Sequence, residues 1–335
     1  MDEYVIGIDL GGTKILTARF DLRGQVLAQV REQTRAEEGP DAVINRMAGT
    51  VQAVMQGVDP AGLVGVGVGS PGPIYPATGV VSRPPNLPGW DNVPLRDILR
   101  DRLRAQLGRT VPVETGNDAN VAALGEFRFG VGRQFPAVRH LVYFTVSTGI
   151  GGGVIAGGRI ADGAHGIAAE VGHMTVDLNG PLCNCGNIGC IEAIAAGPAI
   201  ARRGADLVAT GRAPLLTRLA NSEPEAVTTA MVDEAARQGD PDALALLEYT
   251  GRAFGFAVVN IVHLFNPQIV AIGGGVAKMG DLLFDPVRAV VQAHAQPAFQ
   301  QDLRIVPAAL GDLAGVLGAA ALVLQDYPTA PPGVE

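Results

Sequence analysis

The strongest constraint on the fold is a pattern that occurs twice. Tyr4-Val5-Ile6-Gly7-Ile8 reads as a strand, Asp9 to Lys14 as a glycine-rich turn, and Ile15 to Phe20 as a second strand. Asp21-Leu22-Arg23-Gly24 then reads as a turn and Gln25 to Val30 as a third strand. The same order returns with the strand Leu141–Val146 and the glycine-rich turn Ser147–Gly153. Val154 to Ile160 follows as a strand with Gly157-Gly158 turning inside it. A chain that opens each half this way is built from two related α/β halves.

The first turn, Gly7-Ile8-Asp9-Leu10-Gly11-Gly12-Thr13-Lys14, is close to a P-loop but reverses its last two residues. A P-loop also opens a helix, whereas strand formers follow here. Backbone N–H groups of a glycine hairpin can still cradle an anion, because no Cβ blocks the approach. Asp9 at the strand end would add a carboxylate suited to a Mg²⁺-bound phosphate. An ordinary tight hairpin with an Asp in its turn fits the local sequence equally well. A third cluster, Gly273-Gly274-Gly275, follows the strand-like Ile269–Ile272, which itself follows a helical pattern from Leu247 to Phe265. It is either a backbone surface for adenosine or a close strand-to-helix connection.

At 335 residues the chain has room for two domains. With 47% hydrophobic and 17% charged residues it reads as globular. A net charge of −8 argues against a nucleic-acid surface. The start lacks the basic and apolar regions of a secretory signal, and no apolar run reaches membrane-spanning length. A cytoplasmic protein is expected. The proline-rich tail Tyr327–Gly333 reads as a frayed end.

All three cysteines fall in Cys183-Asn184-Cys185-Gly186-Asn187-Ile188-Gly189-Cys190. In a reducing compartment such clustering points to Zn²⁺, which needs a fourth ligand. His165 and His173 are the nearest histidines and Asp177 a weaker candidate; spacing does not choose between the histidines. Elsewhere, the strand Val111–Gly116 runs into Asn117-Asp118-Ala119-Asn120 and then a helical pattern, Val121–Phe127. Asn117 or Asp118 fits an N-cap. Lying in sequence between two phosphate hairpins, Asp118 also fits the carboxylate that orients an attacking hydroxyl and accepts its proton. Ser70-Pro71-Gly72-Pro73-Ile74 ends a Gly/Val-rich strand, and Pro84–Trp90 is a stiff loop holding the one Trp.

These motifs together resemble the superfamily of sugar kinases, actin and heat-shock chaperone ATPases: Asp9-x-Gly11-Gly12-Thr13, the second hairpin, and Gly273-Gly274-Gly275. Within it the order is similar to the ROK group of bacterial sugar kinases and repressors. Most specific are Glu170-Val171-Gly172-His173 and Cys183-x-Cys185-Gly186-x-x-Gly189-Cys190-x-Glu192. The resemblance implies two ribonuclease-H-like α/β domains around a cleft, residues 1–116 with 306–330 and residues 117–305, with the last helix, 311–325, packed on the first. It implies a structural zinc on His173, Cys183, Cys185 and Cys190, and Asp118 as general base. Asn86, Asn117, Asp118, Glu170, His173 and Glu192 would bind the sugar. ATP would be held by Asp9, Gly11, Gly12, Thr13, Lys14, Thr148, Gly149, Gly151, Gly152, Gly274 and Gly275, with Mg²⁺ placed by Asp9. One departure is Ser147, where a Gly often stands.

The activity so implied is ATP-dependent phosphorylation of a hexose. Glucose comes first, because Asn86-Leu87-Pro88-Gly89-Trp90 is similar to the glucose loop of ROK glucokinases. N-acetylmannosamine, fructose, mannose and polyphosphate as donor stay open. The repressors of the group need a helix-turn-helix ahead of the first hairpin; with a strand starting at Tyr4 and an acidic charge, the kinase is expected. Partners would be a small hexose and a nucleotide, without nucleic acid or membrane. The Leu/Ala-rich helices between Ala193 and Phe265 would supply a homodimer or homotetramer interface.

Overall fold

The structure is a computed structural model that describes residues 3–135 and 137–325. Strands β1 (Tyr4–Leu10), β2 (Lys14–Asp21) and β3 (Val26–Gln33) form the antiparallel meander indicated by the sequence. Helix α1 (Gly39–Val54) leads to β4 (Leu63–Ser70), which pairs parallel to β1. Strands β5 (Ile74–Tyr75), β6 (Val80–Val81) and β7 (Val93–Pro94) make a small separate sheet. Helix α2 (Leu95–Leu107) precedes β8 (Val113–Asn117), and α3 (Asp118–Arg128) starts directly from its end.

Next come β9 (Leu141–Val146), β10 (Ile150–Ala156) and β11 (Arg159–Ile160). Helices α4 (Ile191–Ala195), α5 (Gly197–Ala209), α6 (Pro214–Leu219), α7 (Thr229–Arg237) and α8 (Pro241–Phe265) follow. The described chain ends with β12 (Ile269–Gly273), α9 (Asp281–His294), β13 (Arg304–Pro307) and α10 (Ala314–Val323). The two large sheets have the orders β3-β2-β1-β4-β8 and β11-β10-β9-β12-β13. Each is a hairpin-linked antiparallel trio extended by two later strands, so the repeat seen in the sequence is a repeat of topology.

The chain forms two compact units: Met1–Arg139 with Gly153–Ala169 and Ala309–Glu335, and His140–Gly152 with Glu170–Ala308. Helix α3 belongs to the first unit, whereas the sequence placed residues 117–139 with the second. The reason is glycine packing. A Cβ on Gly125 of α3 would lie 2.6 Å from the Ala314 carbonyl oxygen of α10, so the two helices touch backbone to backbone. Residues 326–330 of the expected first domain, and the tail, lie outside the described residues.

Strand β4, Leu-Val-Gly-Val-Gly-Val-Gly-Ser, shows how the first unit is layered. Alternate residues of a strand face opposite sides. Val66 and Val68 join a core with Ile6 and Ile8 of β1, Ile44 and Met47 of α1, and Leu99 of α2. Each such fully buried side chain contributes about 1.5–3 kcal/mol. The glycine side receives α10: a Cβ on Gly67 or Gly7 would overlap the carbonyl oxygen of Ala319 or Val316.

In the second unit, α8 starts six residues before the Leu247 expected from periodicity. Asp240 caps it, accepting from the N–H groups of Asp242 and Ala243 at 3.1 Å each, and Pro241 takes the first turn. Phe254 of α8 stacks edge-on against Phe144 of β9, centroids 5.1 Å apart. Among the described residues no helix is long and apolar enough to cross a membrane.

Candidate active site

In the first unit, three neighbouring parallel strands end side by side. Asp9 of β1 pairs in register with Gly69 of β4, and Ser70 with Asn117 of β8. Neighbouring strands lie about 4.8 Å apart, so the backbones carrying Asp9 and Asn117 are two spacings apart, roughly 10 Å. Carboxyl ends of parallel strands are where open α/β sheets bind ligands.

The glycine hairpin is closed by the Gly11 N–H donating to Lys14 O at 2.9 Å. Thr34, fully buried at the end of β3, clamps it from behind. Its hydroxyl donates to Gly11 O at 2.6 Å and its N–H to Thr13 O at 2.9 Å. Sequence reasoning missed Thr34, because nothing local marks a clamp twenty residues away. Gly12 is bare for a second reason: a Cβ there would lie 2.8 Å from Asn86 Cβ and 2.9 Å from Asn86 O. The Pro84–Trp90 loop thus rests on the hairpin. Leu87 and Trp90 anchor it in the core, and Asn86 is exposed.

Asp9 is partly buried. Burial pushes its carboxyl above the usual range, partly opposed by Lys14. A Cβ on Gly315 would lie 2.9 Å from Asp9 Oδ2, so the first turn of α10 abuts the carboxylate. The positive end of a helix favours an anion there. A largely desolvated carboxylate beside a glycine turn suits a hydrated dication carrying phosphate oxygens. Sequence reasoning also missed Gly315.

Asn117 is the N-cap of α3: its Oδ1 accepts from Ala119 N–H at 3.0 Å and Asn120 N–H at 3.2 Å. That leaves its Nδ2, which lies 2.9 Å from where a Cβ on Gly72 would be. Asp118 is the first helical residue, partly exposed, its Oδ1 accepting from Ala119 N–H at 2.8 Å. The cap and the candidate base are therefore different residues.

In the second unit the hairpin between β9 and β10 is closed by Ser147 N–H donating to Gly149 O at 2.8 Å. The first N–H of α5, from Gly197, donates to Ser147 O at 2.8 Å, and Thr148 is exposed. Glu192, at the start of α4, accepts from Ile150 N–H at 2.9 Å and fills the space a Gly149 Cβ would need. Gly151 is partly exposed, whereas Gly152 is buried against Tyr143 and Val171 and serves packing. Gly274 and Gly275 are exposed; Gly274 has φ +88° and sits on the Val146 carbonyl.

His173, Cys183, Cys185 and Cys190 bring their ligand atoms within 4.8 Å of one another. Cys185 Sγ–Cys190 Sγ and Cys183 Sγ–His173 Nδ1 are both 3.7 Å. A tetrahedron with 2.3 Å zinc–sulfur bonds has edges of about 3.8 Å, so the spacing fits Zn²⁺ with all four positions filled. Burial pushes the Cys190 thiol up to about 12 and raises Cys183. A hydrogen bond from the Asn187 backbone lowers Cys185. A bound dication would hold all three as thiolates. His165 and Asp177 lie outside the cluster. His173 Nε2 is 4.0 Å from Oε2 of the exposed Glu170, and Cys183 Sγ is 3.8 Å from Glu192 Oε1.

Two sheets of one topology, each opened by a glycine hairpin, define the actin/hexokinase-like fold, here with a zinc-type Cys/His cluster. Residues 5–326 match the ROK family, and the chain belongs to it. It is 41% identical to the glucokinase of Thermotoga maritima, over 96% of this chain and 97% of that one. It is 32% identical to the xylose repressor of Caldicellulosiruptor bescii, over 96% of this chain and 78% of the repressor. Among solved structures, it matches a ROK family glucokinase from Streptomyces griseus in complex with glucose and AMPPNP. There the TM-score is 0.75 and the identity 32%, over 96% of this chain and 99% of that one.

Proposed function

We propose that the protein is a sugar kinase that transfers the terminal phosphoryl group of ATP to the 6-hydroxyl of glucose, giving glucose 6-phosphate and ADP. The observation that carries this reading is the strand-end register: Asp9 and its glycine hairpin lie two strands from Asn117 and the Asp118 that follows it. The glucokinase relatives support glucose as the acceptor.

In this reading Asp118 orients the attacking hydroxyl and takes its proton as the phosphoryl group transfers. Asn86, Asn117, Glu170, His173 and Glu192 hydrogen-bond the sugar, and a sugar that left one of them buried and unpaired would be rejected. Gly11, Gly12, Thr13 and Lys14 hold phosphates, as do Thr148, Gly149 and Gly151, and Gly274 and Gly275 accept adenosine. Mg²⁺, held by Asp9 through water, would neutralise charge building on the phosphate oxygens. The zinc fixes the loop that presents Glu170 and Glu192. Cytoplasmic ATP and sugar are its substrates. Exposed Tyr249, Phe256, Leu264 and Phe265 of α8 offer an apolar face for a homodimer or homotetramer. The repressor relatives suggest a sugar sensor; Asp9, both hairpins and Asp118 favour catalysis.

The test is a coupled assay with Mg-ATP against glucose, mannose, fructose, N-acetylglucosamine and N-acetylmannosamine, repeated with polyphosphate. Glucose should give the highest kcat/KM. Asp118→Asn should keep its fold by circular dichroism and lose roughly 10²–10⁴-fold in kcat. Turnover of no sugar with either donor sinks the kinase reading.

A further inference from the structure

A chain of polar contacts runs from helix α1 to the back of the first glycine turn, wholly within the first unit. Thr34 binds two carbonyls of that turn, Gly11 O through its hydroxyl and Thr13 O through its N–H. Its own carbonyl is held as well: Arg46 Nη1 of α1 donates to Thr34 O at 2.5 Å. The same guanidinium pairs through Nη2 with Glu38, and the Arg46 side chain is only 15% exposed. One turn further along the same face of α1, the Thr50 hydroxyl donates to Met47 O and accepts from the Thr17 hydroxyl of β2 at 2.7 Å. Thr17 and Thr50 are both fully buried. Helix α1 therefore holds β2, which leaves the turn, and Thr34, which backs it.

Between Thr34 and α1 the backbone is strained. Arg35 has φ 50° and ψ 57°, the left-handed region. That conformation is costly for a residue with a Cβ and persists only where its surroundings impose it. Here the contacts on either side impose it: Thr34 is tied to the turn, and Glu38 to Arg46. The turn does not need this buttress to close, because the bond from Gly11 N–H to Lys14 O closes it locally.

We propose that Thr34 and Arg46 are positioning residues for nucleotide binding, a role that rests on the reading of this turn as the nucleotide's phosphate site. The series Glu38–Arg46–Thr34 fixes two carbonyls of the turn, and so the shape in which Gly11, Gly12 and Thr13 meet phosphate oxygens. Thr34 is fully buried with its hydroxyl spent on Gly11 O, and Arg46 reaches the turn through Thr34. Both therefore act on phosphate affinity by way of the backbone. Hydrogen bonds weaken steeply as their angle closes, so a small twist of the turn is enough to lower that affinity.

The test is calorimetric titration of Mg-AMPPNP, and separately of glucose, into zinc-loaded wild type, Thr34→Val, Thr34→Ser and Arg46→Met, with circular dichroism and Tm confirming each fold. Thr34→Val keeps the branched shape and the N–H but leaves Gly11 O without its partner. It should weaken Mg-AMPPNP at least about fivefold, the worth of about one hydrogen bond, and glucose by less than about twofold. Thr34→Ser, which keeps the hydroxyl, should restore most of the affinity. Arg46→Met, which leaves Thr34 in place, should weaken Mg-AMPPNP about threefold or more. A lower Tm with unchanged Mg-AMPPNP affinity in both Thr34→Val and Arg46→Met would make these contacts structural only and overturn the proposal. Equal loss for glucose and nucleotide, or no recovery in Thr34→Ser, would overturn it too. A wild type that binds no Mg-AMPPNP would overturn the nucleotide reading and the positioning role together.

Discussion

Asp9 shows how one buried carboxylate can act against stability. Burial raises its pKa, so the folded chain binds this proton more tightly than the unfolded chain does. The linked stability is fully present below the unfolded pKa and is lost as pH rises through the folded one. Above its folded pKa an ionised Asp9 therefore destabilises the fold. Asp9→Asn should raise Tm at pH 7–8, with a gain that shrinks as pH falls through the folded pKa of Asp9, where the wild-type side chain becomes neutral too. Activity should be lost at every pH. A lower Tm for Asp9→Asn at pH 8 would mean that the carboxylate is already compensated within the protein. Gly315 tests the same spot from the helix side. Alanine there gains up to about 1 kcal/mol of helix propensity. Its Cβ, 2.9 Å from Asp9 Oδ2, has to displace the carboxylate. Gly315→Ala should keep Tm within a few degrees while raising KM for Mg-ATP several-fold; an unchanged KM would separate Asp9 from nucleotide binding.

Among elements, what could be read from the sequence follows the range of the interaction. The opening meander and its repeat were legible because strand alternation and glycine turns act over a few residues. The cysteine cluster was legible for the same reason, although its fourth ligand came from resemblance and not from spacing. The allegiance of α3 was not legible, because it depends on α10 nearly two hundred residues later. Glu126 illustrates this. Fully buried on α3, it accepts from Ala309 N–H at 3.1 Å and Leu310 N–H at 2.8 Å, just before α10. No local pattern announces such a clasp. The glycines of β4 were legible as glycines but not as a seat for a helix, and they can be told apart by substitution. A Cβ on Gly67 overlaps the Ala319 carbonyl, whereas one on Gly69 meets Val121 Cγ1 at an ordinary 3.4 Å. Gly67→Ala should lower the denaturant midpoint by an amount equivalent to about 1–3 kcal/mol or more. Gly69→Ala should cost far less. Equal costs would show that α10 does not sit directly on β4.

At the scale of the whole molecule, the Cys/His cluster joins His173 to a second stretch of the second unit, Cys183–Cys190. Among the described residues, the segment from Glu170 to Cys190 contains no helix longer than a three-residue turn and no long strand. Turn hydrogen bonds and the isolated bridges Thr175–Cys190 and Leu182–Ile188 shape it, and a bound metal would tie its ends together. Two residues beyond Cys190, Glu192 accepts from Ile150 N–H at the second glycine hairpin, 2.9 Å away. A zinc held by His173, Cys183, Cys185 and Cys190 would thus steady both this segment and the glycine turn after β9. Structural zinc contributes about 10–16 kcal/mol in small metal-dependent peptides. Here the rest of the unit has its own apolar core, so metal loss should loosen the loop without unfolding the chain. The expected outcome is one zinc per chain by elemental analysis. Removal by a strong chelator should raise KM for glucose and for ATP together. Trp90, the one tryptophan, is buried in the core of the first unit and reports that unit alone. Its emission should not change on chelation. Cys190→Ser should reproduce the kinetic loss and resist rescue by added zinc. Full activity in metal-free protein would show that the loop is held by its own packing. A shift of Trp90 emission would show that the metal's influence extends beyond the unit that binds it.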